Sequence, residues 1–109
     1  MALEAQLMVR KYSDGRVALL FAPPKTAAFA EVGLAGSLDD WESVLRKAVS
    51  GVAPESLDGV VFTSEDERLV VMAANPASLH EIAATVECLL SDSFLLRHFI
   101  RTANGMPPA

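Results

Sequence analysis

Six consecutive residues, Val17-Ala18-Leu19-Leu20-Phe21-Ala22, carry no polar side chain and end at Pro23-Pro24. A half-exposed strand alternates apolar and polar positions. A run without alternation must lie inside a sheet, covered on both sides, or offer one face to a partner. Ahead of it stands Ser13-Asp14-Gly15, and Asp-Gly supplies the positive φ angles that a tight type I′ turn requires. The segments Glu4 to Tyr12 and Arg16 to Ala22 are therefore read as a hairpin. With Asp14 and Gly15 as its two loop residues, Tyr12 faces Val17, Arg10 faces Leu19 and Met8 faces Phe21 on one side of the sheet. The other side then holds Lys11 with Ala18, Val9 with Leu20 and Leu7 with Ala22.

Proline lacks the donor that a ladder needs, so Pro23-Pro24 stops the strand, and Lys25 to Val32 is read as a short helix ended by Gly33 and Gly36. A firmer helix follows, capped by Ser37 or Asp39, with Gly51 as its stop. Its apolar stripe is Trp41, Val44, Leu45, Ala48 and Val49, and Glu42 and Arg46 are spaced for an i,i+4 pair. Asp58-Gly59 opens a second hairpin, Val60 to Thr63 and Arg68 to Ala74, joined through the acidic turn Ser64-Glu65-Asp66-Glu67. Asn75-Pro76 begins the next helix as cap and first residue, with Leu79, Ile82, Ala83, Val86, Leu89 and Leu90 inward. Ser91-Asp92-Ser93 interrupts or re-caps it, and Leu96, Phe99, Ile100 and Ala103 mark a last helix before Asn104-Gly105.

The order ββαββα, with the last helix split, predicts an α+β fold: a mainly antiparallel sheet of about four strands from two hairpins, with helices on one face. At 109 residues the chain is read as one domain over 1–105 with a frayed tail over 106–109. A single cysteine, Cys88, fits a reducing compartment, and the N-terminus has neither the basic nor the apolar region of a signal peptide, so a cytoplasmic protein is expected.

A net charge of −5 argues against binding nucleic acid or a membrane, both of which draw on clustered Lys and Arg. The charge is concentrated: from Asp39 to Glu67 eight acids face only Arg46 and Lys47. Acids in an opening helical turn are explained by the helix dipole alone, and acidic surfaces by solubility. Catalytic equipment is thin. His80 and His98 fall outside the apolar stripes, and Cys88 reads as a small buried or half-buried filler with no cation beside it to lower its pKa. No Walker, G-x-S-x-G, G-x-G-x-x-G or H-E-x-x-H motif is present, so no enzyme activity, metal or cofactor is expected.

Between Glu31 and Ile100 the sequence carries Glu31-Val32-Gly33, Gly36, Asp40-Trp41-Glu42-Ser43, Leu57 to Phe62 leading into the acidic turn, and Leu89-Leu90-Ser91-Asp92 with Leu95-Leu96. In these the chain resembles the immunity protein 51 family of bacterial polymorphic toxin systems. It departs from the pattern at Leu38-Asp39, where an aromatic residue would precede Asp-Trp, and at Leu69 to Met72, which lack an aromatic. The resemblance implies a non-enzymatic cytoplasmic protein whose partner is a cognate toxin domain, held by stoichiometric occlusion. The acids Asp39, Asp40, Glu42, Glu65, Asp66 and Glu67 are the expected partner-binding residues, with Trp41 either a core residue or an interface anchor. The competing readings are a secretion-chaperone-like or adaptor domain that cradles a peptide or forms a homodimer through its sheet face, and a small ligand-sensing domain with its pocket between sheet and helices.

Overall fold

The computed structural model describes residues 6–24 and 26–107. Its strands are β1 (Gln6–Lys11), β2 (Val17–Ala22), β3 (Val61–Glu65) and β4 (Arg68–Ala73), and its α-helices are α1 (Leu38–Val52), α2 (Pro76–Ser91) and α3 (Ser93–Ala103). Short 3-10 turns stand at Ala30–Val32 and Pro54–Leu57. The architecture is α+β, one antiparallel sheet in the order β1-β2-β4-β3 with three α-helices. The turn at Ala30–Val32 is what remains of the helix expected after Pro24; Lys25 lies outside the described residues.

Both hairpins form, but the first is shifted by one residue from the expected register. Val9 faces Leu19, Leu7 faces Phe21 and Lys11 faces Val17. The cause is a three-residue loop. The Tyr12 N–H donates to the Arg16 carbonyl at 2.9 Å, and Gly15 takes a φ of +91° behind Ser13 and Asp14. Asp14 secures this loop, its Oδ1 accepting from the Arg16 N–H at 3.1 Å and its Oδ2 pairing with Arg16 Nε at 2.7 Å. A one-residue slip moves every β1 side chain to the opposite face, so Leu7, and not Met8, packs on the core.

The apolar run of β2 lies between β1 and β4 and is buried along its length from Val17 to Phe21. On the helix side Val17, Leu19 and Phe21 join Leu69, Val71 and Ala73 in the main core. On the reverse side Ala18, Leu20 and Val70 form a smaller cluster with Tyr12 and Met72 packed over it. Arg10 on edge strand β1 lies 3.3 Å from Glu65 on the opposite edge, β3. Cover on both sides thus comes from helices on one face and from long neighbouring side chains on the other.

Helix α1 begins where Ser37 caps it. The Ser37 Oγ accepts from the Asp40 N–H at 3.2 Å, and Asp40 Oδ2 accepts from the N–H groups of Ser37 and Gly36, both at 3.0 Å. Gly51 does not end the helix, which runs on to Val52 and stops before Pro54. Asn75 caps α2 and Asp92 caps α3, so the Ser91-Asp92-Ser93 segment both ends one helix and starts the next.

Trp41 is 1% exposed, edge-on to Phe21 at 5.3 Å between ring centroids and tilted against Phe29 at 5.1 Å. It is a core residue. These contacts fasten α1 to β2 and to the 26–36 segment at once. Truncation to alanine should cost about 3–5 kcal/mol in urea unfolding monitored by circular dichroism, and phenylalanine clearly less. A loss below about 1 kcal/mol would show that the site collapses without the indole.

Candidate functional site

Six acids were expected to meet a partner, and the structure divides them. Asp40 is occupied by the α1 cap. Glu42 is tied to Arg46 at 2.9 Å, and the Arg46 guanidinium lies 4.3 Å over the Phe62 ring, so this pair fastens α1 to β3. Glu65 belongs to strand β3 and reaches Arg10 across the sheet. Asp39, Asp66 and Glu67 are exposed, and among the described residues none of them has an ion-pair partner within salt-bridge distance.

Asp66 and Glu67 form a two-residue turn, with φ of +50° and +60°. Two adjacent left-handed residues define a type I′ hairpin turn, a place where Asn-Gly is preferred because a Cβ there crowds the backbone. This turn stands beside the start of α1. Glu67, Ser37 and Leu38 line one cleft of about 550 Å³, together with Pro23, Pro24, Phe29 and Trp41. Two acidic segments far apart in sequence therefore meet at one end of the molecule. The sequence showed each segment; their meeting, and the role of Pro23-Pro24 as a cleft wall, required the fold.

The segment that brings Phe29 and Gly36 to this cleft is also tied to α3. Glu31, in the 3-10 turn, accepts from Arg97 of α3 through both carboxylate oxygens, at 2.9 to 3.1 Å. The Arg97 hydrogen bonds and charge hold the Glu31 carboxyl below its ordinary range. Gly36 sits on the same segment with φ of +74°, where a Cβ would come within 3.4 Å of the Phe29 ring.

Other candidate groups are scattered. His80 is exposed, His98 is half-buried and edge-on to Phe99 at 5.0 Å, and Cys88 is exposed, which corrects its expected buried or half-buried place: the helix phase that buries Leu89 and Leu90 turns it outward. Among the described residues no three of His, Cys, Asp and Glu are grouped to hold a metal, and no helix is long and apolar enough to cross a membrane. The most exposed aromatic is Phe94, 82% exposed in the first turn of α3. Its position outside the Leu96, Phe99 and Ile100 stripe was the available signal for that.

In comparison with known proteins, the family model described as Immunity protein 51 matches residues 7–105. No curated protein and no solved structure matches the chain.

Replacing Asp66-Glu67 by Asn-Gly should stabilise the fold by about 1 kcal/mol in urea unfolding, because the turn geometry stays and the Cβ crowding goes. Destabilisation would mean that the turn is not strained. A second expectation concerns pH. A lowered folded-state pKa gives stability that is present above the unfolded carboxylate value and lost as pH falls through the folded one. Wild type should therefore exceed E31Q in stability at neutral pH, and that difference should shrink as pH drops below the ordinary value of 4.5. A difference unchanged down to about pH 2 would remove Glu31 ionisation as its source.

Proposed function

The chain belongs to the immunity protein 51 family, and on that premise we propose that it binds a cognate bacterial toxin domain and neutralises it by stoichiometric occlusion, in the cytoplasm of the cell that makes the toxin. The family match over residues 7–105 carries the reading. Occlusion needs a stable surface and no chemical step, which suits a chain whose histidines and cysteine stand apart on exposed or half-buried helix positions.

The surface proposed for the toxin is the end of the molecule at the Asp66-Glu67 turn and the start of α1. Charge carries this choice. Asp40, Glu42 and Glu65 serve the fold, whereas Asp39, Asp66 and Glu67 are exposed and uncommitted to ion pairs among the described residues. Exposed acids attract a basic partner at long range, accelerating encounter and repelling acidic competitors, while tight holding rests on desolvated contacts nearer the centre. Trp41 is buried and takes no part as an anchor.

Co-expression with its cognate toxin domain should restore growth and yield a one-to-one complex. Reversing Asp39, Asp66 and Glu67 together to Lys should lower the association rate about tenfold at low salt and flatten its salt dependence, with a smaller change in dissociation. If stopped-flow association is unaltered at both low and high salt, the acids only solvate this end and the toxin docks elsewhere.

A further inference from the structure

We propose that the outer edge of β1 pairs with the same edge of a second copy of this chain, antiparallel about a two-fold axis, so that one sheet runs through both copies. This goes beyond the toxin reading and uses a different surface. Strand β1 ends the sheet, and its middle is apolar on both faces: Met8 is 56% and Val9 61% exposed. The other edge is guarded, since β3 shows Thr63, Ser64 and Glu65 to solvent and Arg46 lies over its Phe62. Charge on β1 stands only at one end, at Arg10 and Lys11, and Arg10 is drawn across the sheet to Glu65.

The backbone phase suits self-pairing. The Tyr12 N–H donates to the Arg16 carbonyl inside the hairpin, and bonded pairs alternate along an antiparallel ladder. Met8 and Arg10 therefore turn their backbone groups to β2, while Leu7, Val9 and Lys11 turn theirs outward. An axis at Val9 sets Val9 against Val9 of the second copy and Leu7 against its Lys11. Every outward N–H and carbonyl of these residues then has a partner. No charge meets its like, because Lys11 lies opposite Leu7 and Arg10 opposite Met8. The ladder uses only residues from Leu7 to Lys11, all of them described.

Charge on the helix side selects a second copy over an unrelated strand. Val9, Leu19, Leu79 and Ala83 line a trough of about 290 Å³ between β1 and α2, and Lys11 and His80 are its polar members. Helix α2 follows β4, which is parallel to β1, and packs back over β2 and β4, so it runs against the direction of β1. Glu87, seven residues after His80 and so on the same flank of the helix, stands about 10 Å nearer the Leu7 end. The two-fold axis reverses one trough against the other, which brings Lys11 of the second copy to the end that Glu87 overlooks, and the converse. Lys11 and Glu87 are both exposed and, among the described residues, neither is in an ion pair. Such reciprocal matching is what an isologous contact requires. The trough lies at the Val17–Ala73 end of the sheet and the acidic cleft at the Phe21–Leu69 end, so pairing leaves Asp66 and Glu67 open.

The test is sedimentation velocity of the full chain from about 10 µM to about 1 mM, the range in which a small two-strand contact associates reversibly. A monomer–dimer equilibrium is expected. Val9→Pro removes an outward donor and leaves the β1–β2 bonds in place, so it should abolish the dimer with circular dichroism unchanged. Lys11→Glu should weaken association about fivefold, and adding Glu87→Lys should restore it. A chain that stays monomeric throughout, a dimer that survives Val9→Pro, or a Lys11→Glu loss that Glu87→Lys does not recover would overturn the proposal. Should Val9→Pro unfold the protein, the charge exchange decides alone.

Discussion

The antiparallel pairing of β2 with β4 is the contact on which the rest of the molecule rests. It sets Leu19 beside Val71 and Phe21 beside Leu69, joining two hairpins that are separated in sequence by all of α1. Each hairpin alone would leave one apolar strand at an edge, exposing unpaired donors and acceptors together with large hydrophobic area. Joining them places both apolar strands in the middle and sends the more polar β1 and β3 to the edges. It also fixes the base on which the helices lie, since α2 crosses β2 and β4 and α1 meets β2 through Trp41 and Phe21.

The acidic end follows from the same pairing. With β3 outside β4, the β3–β4 turn lies at the end of the sheet from which β2 runs into Pro23-Pro24, because Phe21 is level with Leu69. The chain then returns through Phe29 and Gly36 to the α1 cap. Three segments converge there: the proline exit of β2, the α1 start and the acidic turn. Half of the expected partner-binding acids are spent holding this arrangement together. Asp40 closes a capping box, Glu42 positions Arg46 over Phe62, and Glu65 reaches Arg10. Exposed pairs of this kind add little stability each, so their clearer effect is to fix geometry.

The strain at Asp66 and Glu67 bears on the surface proposed for the toxin. Left-handed non-glycine residues persist where surrounding structure over-determines them, and here a two-residue hairpin turn between paired Glu65 and Arg68 does so. Asn-Gly would satisfy the turn with less crowding but would remove both carboxylates. A turn built from acids at that cost is consistent with a surface that meets a basic partner.

The helices were legible from the sequence because their signals are local. Ser37, Asn75 and Asp92 cap the helices they precede, and the 3.6-residue phase of Trp41, Val44, Leu45, Ala48 and Val49 names the buried face. The existence of both hairpins and the α+β class were equally plain. Local signals failed where two conformations of similar energy competed. Asp14-Gly15 fits a two-residue turn as well as the three-residue loop that forms, and Arg16 bonding back to Asp14 belongs to the latter. Cys88 needed the exact helix phase, and Gly51 was passed over by a helix that runs on to Val52 before Pro54. The sequence alone determined the three α-helices, their caps and their apolar faces, since these depend on residues a few positions apart. Tertiary structure alone decided the β2–β4 partnership, the cleft, and which acids are structural, because each depends on contacts between residues distant along the chain, whose pairing no local preference encodes.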